Sequence, residues 1–255
     1  MNRPILYITL TAVLAGCAQV TREAPAGHAA GAPAHWTYEG AAGPAHWGEL
    51  APDFGLCASG VNQTPVDIRG AITAALPRLN IGYKTLGQEV VNNGHTLQVN
   101  VAPGSVLTIN GVPFELKQFH FHAPSENLVD GKPYAMEAHL VHADQGGHLA
   151  VIGVLYRLGA ADPTIARIWA ASQPQADTRQ ALASPVDPKA LLPKRRDYFA
   201  FNGSLTTPPC TEGVRWMVLK EPLMVSAEQV AFLEQAVHGH NNRPIQPVNA
   251  RMILR

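Results

Sequence analysis

Two histidines separated by a single phenylalanine are the first side chains in this sequence that could together bind a metal ion. Residues 117–127 read KQFHFHAPSEN, so that only Phe121 separates His120 from His122. Alternate side chains of an extended strand share a face, which puts both imidazoles on one face and the phenylalanines on the other. The pair is typical either of half a metal site or of surface histidines on a strand with an apolar back. These residues alone leave both interpretations open.

A third histidine stands in the next strand-like run, after a turn-rich segment. Antiparallel pairing of residues 114–122 with residues 134–142 would place His139 opposite the face that carries the first two histidines. Three imidazoles with no thiolate nearby suit a zinc ion whose fourth position is open to water, which is the arrangement of a catalytic site. The pairing therefore predicts a catalytic zinc site.

Residues in phase with the histidines could support such a site. Glu137 precedes His139 by two residues and Gln118 precedes His120 by two, so each shares the face of its histidine. A ligand imidazole commonly donates its second N–H to a nearby oxygen, and both residues are predicted to accept that bond. His142 falls on the opposite face by the same alternation, where a structural or surface role is expected.

Short strands are predicted to form most of the fold that holds these residues. Strand-like runs separated by Gly, Asn and Pro turn signals occupy six ranges: 89–101, 105–111, 114–122, 134–142, 149–158 and 214–220. Two helices are predicted, over residues 161–172 and 226–237, the second with Ser226 as N-cap and Gln229 at the capping-box position. No second linker or repeat follows His35, so we expect one domain that is mainly β and mostly antiparallel, with short peripheral helices.

The N-terminus predicts export and a lipid anchor. Residues 1–17 have a basic start and an apolar run too short to span a bilayer, and they end in LAGC, which resembles a bacterial lipobox. We therefore expect a signal peptide over 1–16, a lipidated Cys17 with a flexible tether over 17–34, and the folded domain over 35–255. An ordinary cleaved signal with an incidental Cys17 is the alternative. Ala18 is not the aspartate that often signals inner-membrane retention, so the expected location is the periplasmic side of the outer membrane.

Charge and cysteine usage agree with an exported protein. The chain carries 19 basic and 19 acidic residues, which argues against nucleic acid as a partner. With Cys17 assigned to the lipid, Cys57 and Cys210 remain, either as a disulfide that closes a long loop or as two independent buried thiols. An oxidising compartment favours the disulfide.

Several runs taken together resemble the α-class carbonic anhydrases. They are QFHFH at 118–122 with Ser125-Glu126, EAHLVH at 137–142 and NGSLTTPPC at 202–210, and shorter matches extend the resemblance over most of residues 35–255. The family fold is a large twisted, mostly antiparallel central sheet of about ten strands. The resemblance implies a zinc ion held by His120, His122 and His139. It also implies reversible hydration of carbon dioxide to bicarbonate and a proton, by attack of a zinc-bound hydroxide.

The resemblance also implies roles for residues around the metal. Thr206 would accept a hydrogen bond from the nucleophile while donating its own proton to Glu126, Thr207 would help to bind bicarbonate, and His95 would be the proton shuttle. The apolar wall that holds carbon dioxide would be formed by Val141, Val151, Leu205, Val214 and Trp216. The waters between shuttle and metal would be ordered by Tyr38, Asn92 and Gln98. Cys57 and Cys210 stand where exported members carry their disulfide.

Two residues depart from the family pattern, and other functions stay open. Asn127 and Phe201 stand where many members have a histidine and a tyrosine that hydrogen-bond to each other. Because donor and acceptor are replaced together, we expect a local change in stability and not inactivity. Sulfonamide and anion inhibitors, a membrane contact through the lipid anchor only, and the homodimer common among bacterial members are further expectations. The alternative function is a non-catalytic carbonic-anhydrase-like or zinc-binding surface lipoprotein.

Overall fold

An eleven-stranded sheet dominates the computed structural model, which describes residues 34–255. Within these residues the strands are β1 Asp67–Ile68, β2 Asn80–Gly82, β3 Gly87–Asn92, β4 Leu97–Val101, β5 Val106–Ile109, β6 Val112–His122, β7 Leu128–Val129, β8 Met136–Ala143, β9 Leu149–Leu158, β10 Thr178–Val186, β11 Tyr198–Ser204, β12 Glu212–Leu219 and β13 Leu223–Val225. The helices are α1 Trp47–Leu50, α2 Leu56–Ser59, α3 Pro163–Ala171 and α4 Ala227–Ala236. Short 3-10 helices cover Gly40–Ala42, Pro52–Phe54 and Pro188–Leu191. The predicted signal peptide, Cys17 and nearly all of the tether lie outside the described residues.

The sheet is mostly antiparallel, as predicted. Its strands follow the order β10-β3-β4-β6-β8-β9-β12-β11, with β5 also paired to β6, β2 to β5, and β13 to β9. The β12–β9 and β13–β9 pairs are parallel, and β1 and β7 form a separate two-stranded parallel sheet. The parallel pairs make the sheet mixed, which the strand patterns did not indicate. The long central strands β6, β8 and β9 therefore have sheet neighbours on both sides and provide a rigid base for the site.

Both predicted helices form and pack on the sheet. In α3, the Asp162 side chain caps the amides of Thr164 and Ile165. In α4, Ser226 and Gln229 form the predicted capping box. No helix between residues 34 and 255 is long and apolar enough to cross a membrane.

Two apolar clusters lie on the sheet. The larger one contains the phenylalanines of β6, Phe119 and Phe121, both fully buried. The smaller one is built around Val151 on β9 and Trp216 on β12, and β9 lies between β8 and β12 in the sheet. The alternation of β6 therefore turns its phenylalanines towards the main core and its histidines towards the candidate site.

Candidate metal centre

The three histidines predicted from the sequence meet across two neighbouring strands. β6 and β8 pair so that His120 lies opposite His139, and His122 lies opposite Glu137, which confirms the predicted pairing. One ligand nitrogen from each of the three rings can be chosen so that all lie within 4.8 Å of one another. Ring centroids are 4.5 to 5.2 Å apart, so the imidazoles converge on one point.

Two of the rings contact the oxygen acceptors that their spacing predicts. Nδ1 of His120 lies 2.8 Å from Oε1 of Gln118. Nε2 of His139 lies 3.2 Å from Oε1 of Glu137. The hydrogen bond to Gln118 fixes an N–H on one side of the His120 ring and leaves the lone pair on the other nitrogen, which faces the neighbouring imidazoles. The Glu137 contact lacks hydrogen-bond geometry, but its carboxylate favours a proton on the near nitrogen of His139 and so a lone pair on the other.

The third ring is oriented by a residue that the sequence analysis missed. Nδ1 of His122 lies 2.7 Å from the backbone oxygen of Asn241. The Asn241 side chain donates to the backbone oxygens of His95 and Phe121, and accepts from the amide of Ala123. Because the acceptor is a backbone carbonyl 119 residues away in the chain, no local pattern could have identified it.

The chemistry of these three rings fits a zinc ion. Burial, reinforced by the neighbouring imidazoles, holds the pKa of His120 and of His139 well below the usual value, and burial lowers the pKa of His122. The rings are therefore neutral at neutral pH, which is the form that binds metals. Among the described residues His122 Nε2 is buried and has no hydrogen-bond partner. A buried, unpaired nitrogen is costly unless it binds something, and a metal ion satisfies it.

Glu137 is held firmly on the side of the site away from the histidine lone pairs. Its Oε2 accepts from the amides of Glu126 and Asn127 at 3.0 and 2.8 Å, and its Oε1 accepts from Asn127 Nδ2 at 2.8 Å. Burial raises the pKa of Glu137, and the bonds from Asn127 oppose that rise. Gly153 on β9 leaves the space for this carboxylate, since a Cβ there would stand 2.8 Å from Oε1. No pattern in the sequence indicated the role of Gly153.

The two departures from the family pattern are well packed in different ways. Asn127 is fully buried, and its Oδ1 accepts from the amide of Val66 at 3.1 Å while its Nδ2 bonds Glu137. Phe201 stacks on Trp216 with nearly parallel rings 6.2 Å apart. Asn127 therefore replaces the expected pair with bonds of its own, which corrects the view that the polar pair is simply lost.

Glu126 is buried next to the histidines and bonded to the chain's C-terminal part. Its Oε1 accepts from the amide of Arg243 at 2.9 Å, and its Oε2 lies 3.6 Å from Nε2 of His122. Burial raises the pKa of Glu126 to about 8, although the Arg243 amide and the Thr206 hydroxyl favour the carboxylate. The positive charge of a bound zinc ion would favour the carboxylate further.

Arg243 is a second residue of this region that the sequence analysis did not assign. Its guanidinium is almost completely buried and donates to Gln63 Oε1 and to the backbone oxygens of Thr64 and Cys57. Burial lowers its pKa to about 10, so the group stays charged at neutral pH. An NRP run gives no indication that its arginine is buried.

The predicted apolar wall exists as one cluster. Its members all belong to the smaller hydrophobic cluster: Val141, Val151, Leu205, Val214 and Trp216. Val151 pairs across the sheet with Val141 on one side and with Trp216 on the other. The rings of Trp216 and His139 are 4.8 Å apart, so this apolar surface adjoins the three imidazoles.

The loop after β11 carries two threonines of the site. Thr206 is buried and Thr207 is half-buried. The Thr207 backbone oxygen accepts from the amide of Cys210 at 2.9 Å, and Cys210 forms a disulfide with Cys57, with Cα atoms 5.0 Å apart. The disulfide reading of the two cysteines is therefore confirmed, and the bond closes the loop beside the site.

His95 lies among aromatic residues, and its backbone oxygen accepts from the Asn241 side chain that also supports His122. Its ring stacks on Trp36 with centroids 3.7 Å apart, and the Tyr38 ring lies 6.4 Å away. Partial burial lowers the pKa of His95, and His35 lowers it further while Asp177 opposes this. Burial and the charge of Glu126 raise the pKa of Tyr38, so its hydroxyl is protonated at neutral pH.

The role expected for Asn92 does not agree with its surroundings. The Asn92 side chain is buried, donates to two backbone carbonyls at 3.0 and 3.1 Å, and accepts from the amide of Gly94. All of its polar atoms serve the backbone, so it has no group left to order water. The next residue, Asn93, lines the same pocket as His95 and accepts from its amide. In the sequence, two adjacent asparagines before a turn do not reveal which of them faces the pocket.

Gln98, the third residue expected to order water, is part of a polar chain. Its Nε2 donates to Asn100 Oδ1 at 2.7 Å, and Asn100 Nδ2 donates to Glu89 Oε1 at 3.0 Å. Glu89 also pairs with Arg179 at the surface. Gln98 lies opposite His120 in the β4–β6 pair, so this chain runs from the metal centre to the edge of the domain.

Comparisons with known proteins agree with this geometry. Residues 42–255 match the family model described as eukaryotic-type carbonic anhydrase, and residues 1–18 match a prokaryotic membrane lipoprotein lipid attachment site. A carbonic anhydrase of Pectobacterium carotovorum is 48% identical over 86% of this chain and 90% of its own length. A carbonic anhydrase of Neisseria gonorrhoeae is 44% identical over 96% of both chains.

A solved structure gives the same result for the fold. The α-carbonic anhydrase of Thermovibrio ammonificans, determined with the inhibitor sulfanilamide, superposes with a TM-score of 0.86 at 44% identity. The match covers 88% of this chain and all of that one. The lipid attachment site makes this chain an exported, membrane-anchored lipoprotein. The three converging imidazoles, the fold and the relatives together show that this chain belongs to the α-class carbonic anhydrases.

Proposed function

We propose that this carbonic anhydrase hydrates carbon dioxide where the three imidazoles adjoin the apolar cluster, with Thr206, Glu126 and His95 in the catalytic roles that their sequence context implies. The observation that carries the proposal is the contact between a convergent set of neutral histidines and an apolar surface, through the rings of His139 and Trp216. His120, His122 and His139 would hold the zinc ion. When bound, zinc acts as a Lewis acid that makes a water molecule nucleophilic at neutral pH.

The apolar cluster is the proposed binding surface for carbon dioxide. The substrate has no net dipole, so it gains little from polar partners and prefers a surface that water leaves easily. Val141 and Val151 pair directly across β8 and β9 and lie beside Trp216, which gives a flat apolar patch next to the metal ligands. Leu205 connects this patch to the threonine loop.

Thr206 and Glu126 are proposed to orient the nucleophilic oxygen. An ionised carboxylate can only accept hydrogen bonds, so Glu126 obliges the Thr206 hydroxyl to donate to it. The threonine oxygen is then left to accept a hydrogen bond from the nucleophile, which directs a lone pair at carbon dioxide. The bond from the Arg243 amide to Glu126 supports this arrangement, because it holds the carboxylate in place. Thr207 is proposed to bind the bicarbonate product.

His95 is proposed to move the product proton from the site to buffer. A half-buried imidazole whose pKa lies below the ordinary value releases protons readily at neutral pH. Tyr38 and Gln98 are proposed to order the waters of the path, and Asn93 takes the place first expected for Asn92.

At the N-terminus we propose a signal peptide over residues 1–16, lipidation of Cys17, and a tether that places the 35–255 domain on the periplasmic side of the outer membrane. The lipid attachment match supports the anchor, and the lack of an aspartate at Ala18 supports the choice of membrane. Mass spectrometry of the purified protein and fractionation of the two membranes test these points.

A stopped-flow assay of carbon dioxide hydration by zinc-loaded protein tests the activity. We expect hydration that sulfanilamide inhibits, because the Thermovibrio relative forms a complex with this inhibitor. Zinc binding without hydration would overturn the catalytic proposal and favour a zinc-binding lipoprotein. For the shuttle, His95→Ala is expected to lower kcat by roughly 100-fold in dilute buffer. Imidazole buffer should restore much of the rate, whereas equal loss in every buffer would contradict the role of His95.

A further inference from the structure

A basic pocket lies at the end of the β11–β12 pair that is farthest from the threonine loop. Tyr198 pairs with Leu219 at this end, whereas Ser204 pairs with Glu212 at the end that leads to Thr206. Six residues of extended strand separate the two ends, which corresponds to roughly 20 Å. The pocket has a volume of about 540 Å³, and it shares no lining residue with the metal centre.

The pocket concentrates positive charge. Arg255 lines the pocket and is left out of the charge count. Five other cationic side chains line it: Arg78, Lys194, Arg195, Arg196 and Lys220. Two acidic groups are close, Asp197 in the wall and Glu221, whose Oε2 lies 3.5 Å from Nε of Arg195. Subtracting these two from the five leaves an excess of three positive charges. The whole chain is balanced at 19 basic and 19 acidic residues, so this excess is a local feature.

The walls of the pocket are fixed by hydrogen bonds, and one of its cations has an aromatic partner, since Nζ of Lys220 lies 5.0 Å from the centroid of the Phe199 ring. The amide of Lys220 donates to the oxygen of Asp197 at 2.8 Å, and the Tyr198 hydroxyl donates to the oxygen of Pro77 at 2.9 Å. Of the five cationic side chains, only Arg195 has an ion-pair partner within residues 34–255. A preformed site with unpaired guanidinium groups is suited to phosphate oxygens, which arginine binds through two parallel N–H groups.

We propose that this pocket docks the domain on anionic phospholipid headgroups of the membrane that carries the lipid anchor. Clusters of Lys and Arg bind the negative surface of a membrane, and attraction acts only within about a Debye length. The lipid attachment site keeps such a surface near the domain at high effective concentration. The docked domain would then hold the threonine loop at the opposite end of β11, away from the lipid. This contact is in addition to the lipid anchor, which was the only membrane contact expected from the sequence.

Chemical labelling of Lys194 and Lys220 on vesicles tests the proposal. The full-length, zinc-loaded protein is mixed with neutral phosphatidylcholine vesicles, or with vesicles of seven parts phosphatidylcholine to three parts phosphatidylglycerol, in low salt. We expect amine labelling of both lysines to be at least about tenfold slower on the anionic vesicles, and the protection to disappear in 0.5 M salt. Comparison between vesicle types isolates the pocket, because the anchor binds to both.

Two variants and one additional condition decide the outcome. In the triple variant Lys194→Gln, Arg195→Gln, Arg196→Gln, protection of Lys220 should be lost. The matched control with the exposed residues changed to glutamine at Lys132, Arg157 and Arg167 should keep it. Neutral vesicles with millimolar inorganic phosphate form the third arm. Equal protection there, with none added by anionic vesicles, would show a site for free phosphate and overturn membrane docking, as would equal labelling on both vesicle types.

Discussion

His139 and His142 stand three residues apart on β8, and their surroundings separate a metal ligand from a structural histidine. Both rings are buried and both have a lowered pKa. His142 faces the main core, where Nε2 lies 2.7 Å from the Tyr83 hydroxyl and Nδ1 lies 3.1 Å from the Ala150 oxygen. Both of its nitrogens are therefore used within the protein. His139 has one nitrogen near Glu137 and turns the other towards two more imidazoles.

Burial alone therefore does not identify a histidine as a metal ligand. A buried ring with two partners is complete, and it stabilises the fold as any satisfied polar group does. A buried ring with one fixed nitrogen and one lone pair directed at other imidazoles is incomplete until a metal binds. The two faces of β8 therefore carry two kinds of histidine: His142 has partners for both ring nitrogens, and His139 has one nitrogen available to a metal.

The largest expected effect comes from removing His139, the histidine with a nitrogen available to a metal. His139→Ala removes one of three protein ligands, so zinc should be lost and the rate of carbon dioxide hydration should fall by more than about 10³-fold. His142→Gln is the matched control on the other face of the strand, and it should keep both zinc and activity. Metal content by mass spectrometry and stopped-flow hydration measure the two. Loss of zinc in His142→Gln would show that the two histidines do not differ in their role at the metal.

His142, whose two nitrogens both have partners, should instead affect how the free energy of unfolding depends on pH. The folded protein holds the pKa of His142 at about 4, and the unfolded chain has a value near 6.5. Between these values the unfolded state binds more protons. The stability that depends on neutral His142 is therefore fully present above pH 6.5 and is lost as pH falls towards 4. The full loss is on the order of 3 kcal/mol.

Denaturant unfolding of the metal-free protein at pH 7 and pH 4.5 measures that loss. His142→Gln should lose less stability than the unmodified protein between these values. The ligand histidines contribute equally to both proteins, so the difference between them isolates His142. Equal losses in the two proteins would show that His142 is not the titrating group.

A smaller effect is expected at Gly153, because its lack of a side chain leaves room for the Glu137 carboxylate. Gly153→Ala would place a Cβ 2.8 Å from Oε1 of Glu137, which displaces the carboxylate from His139. Partners of this kind are worth about 10- to 100-fold in metal affinity, and we expect a loss in that range by competition with a chelator. Gly82→Ala is the control, because its Cβ would meet its nearest neighbour at an ordinary 3.6 Å. Unchanged affinity in Gly153→Ala would show that the position of Glu137 does not matter.

The sequence predicted the parts of this site that depend on alternation along a strand. His120 and His122 share a face because residues i and i+2 must do so, and Gln118 and Glu137 lie with their histidines by the same rule. His139 joins that face through the antiparallel pairing of β6 with β8. The parts that failed depend on contacts between distant segments or on a single turn. Asn241 acts through its backbone, Gly153 acts through the absence of a side chain, and Asn92 and Asn93 exchange roles within one turn.

Long-range pairing also explains what was missed in the fold. The strand runs and both capped helices carry local patterns, so they could be predicted. The parallel alignment of β12 with β9 brings together segments more than sixty residues apart, and no local pattern specifies it. That alignment is what places Trp216 beside Val151 and completes the apolar cluster.

The smallest expected effect tests whether the hydrogen-bonding groups of Asn127 already have all their partners. Phe201→Tyr would restore the tyrosine common in the family, but Asn127 uses Oδ1 for Val66 and Nδ2 for Glu137. The new hydroxyl would be buried against Trp216 without the histidine that accepts it elsewhere, so the unfolding midpoint should stay the same or fall. The double variant Asn127→His, Phe201→Tyr supplies both partners and is the comparison that shows whether the pair can form here. A clear rise in the midpoint of Phe201→Tyr alone would mean that a free acceptor exists beside Phe201, and that Asn127 has not replaced the pair.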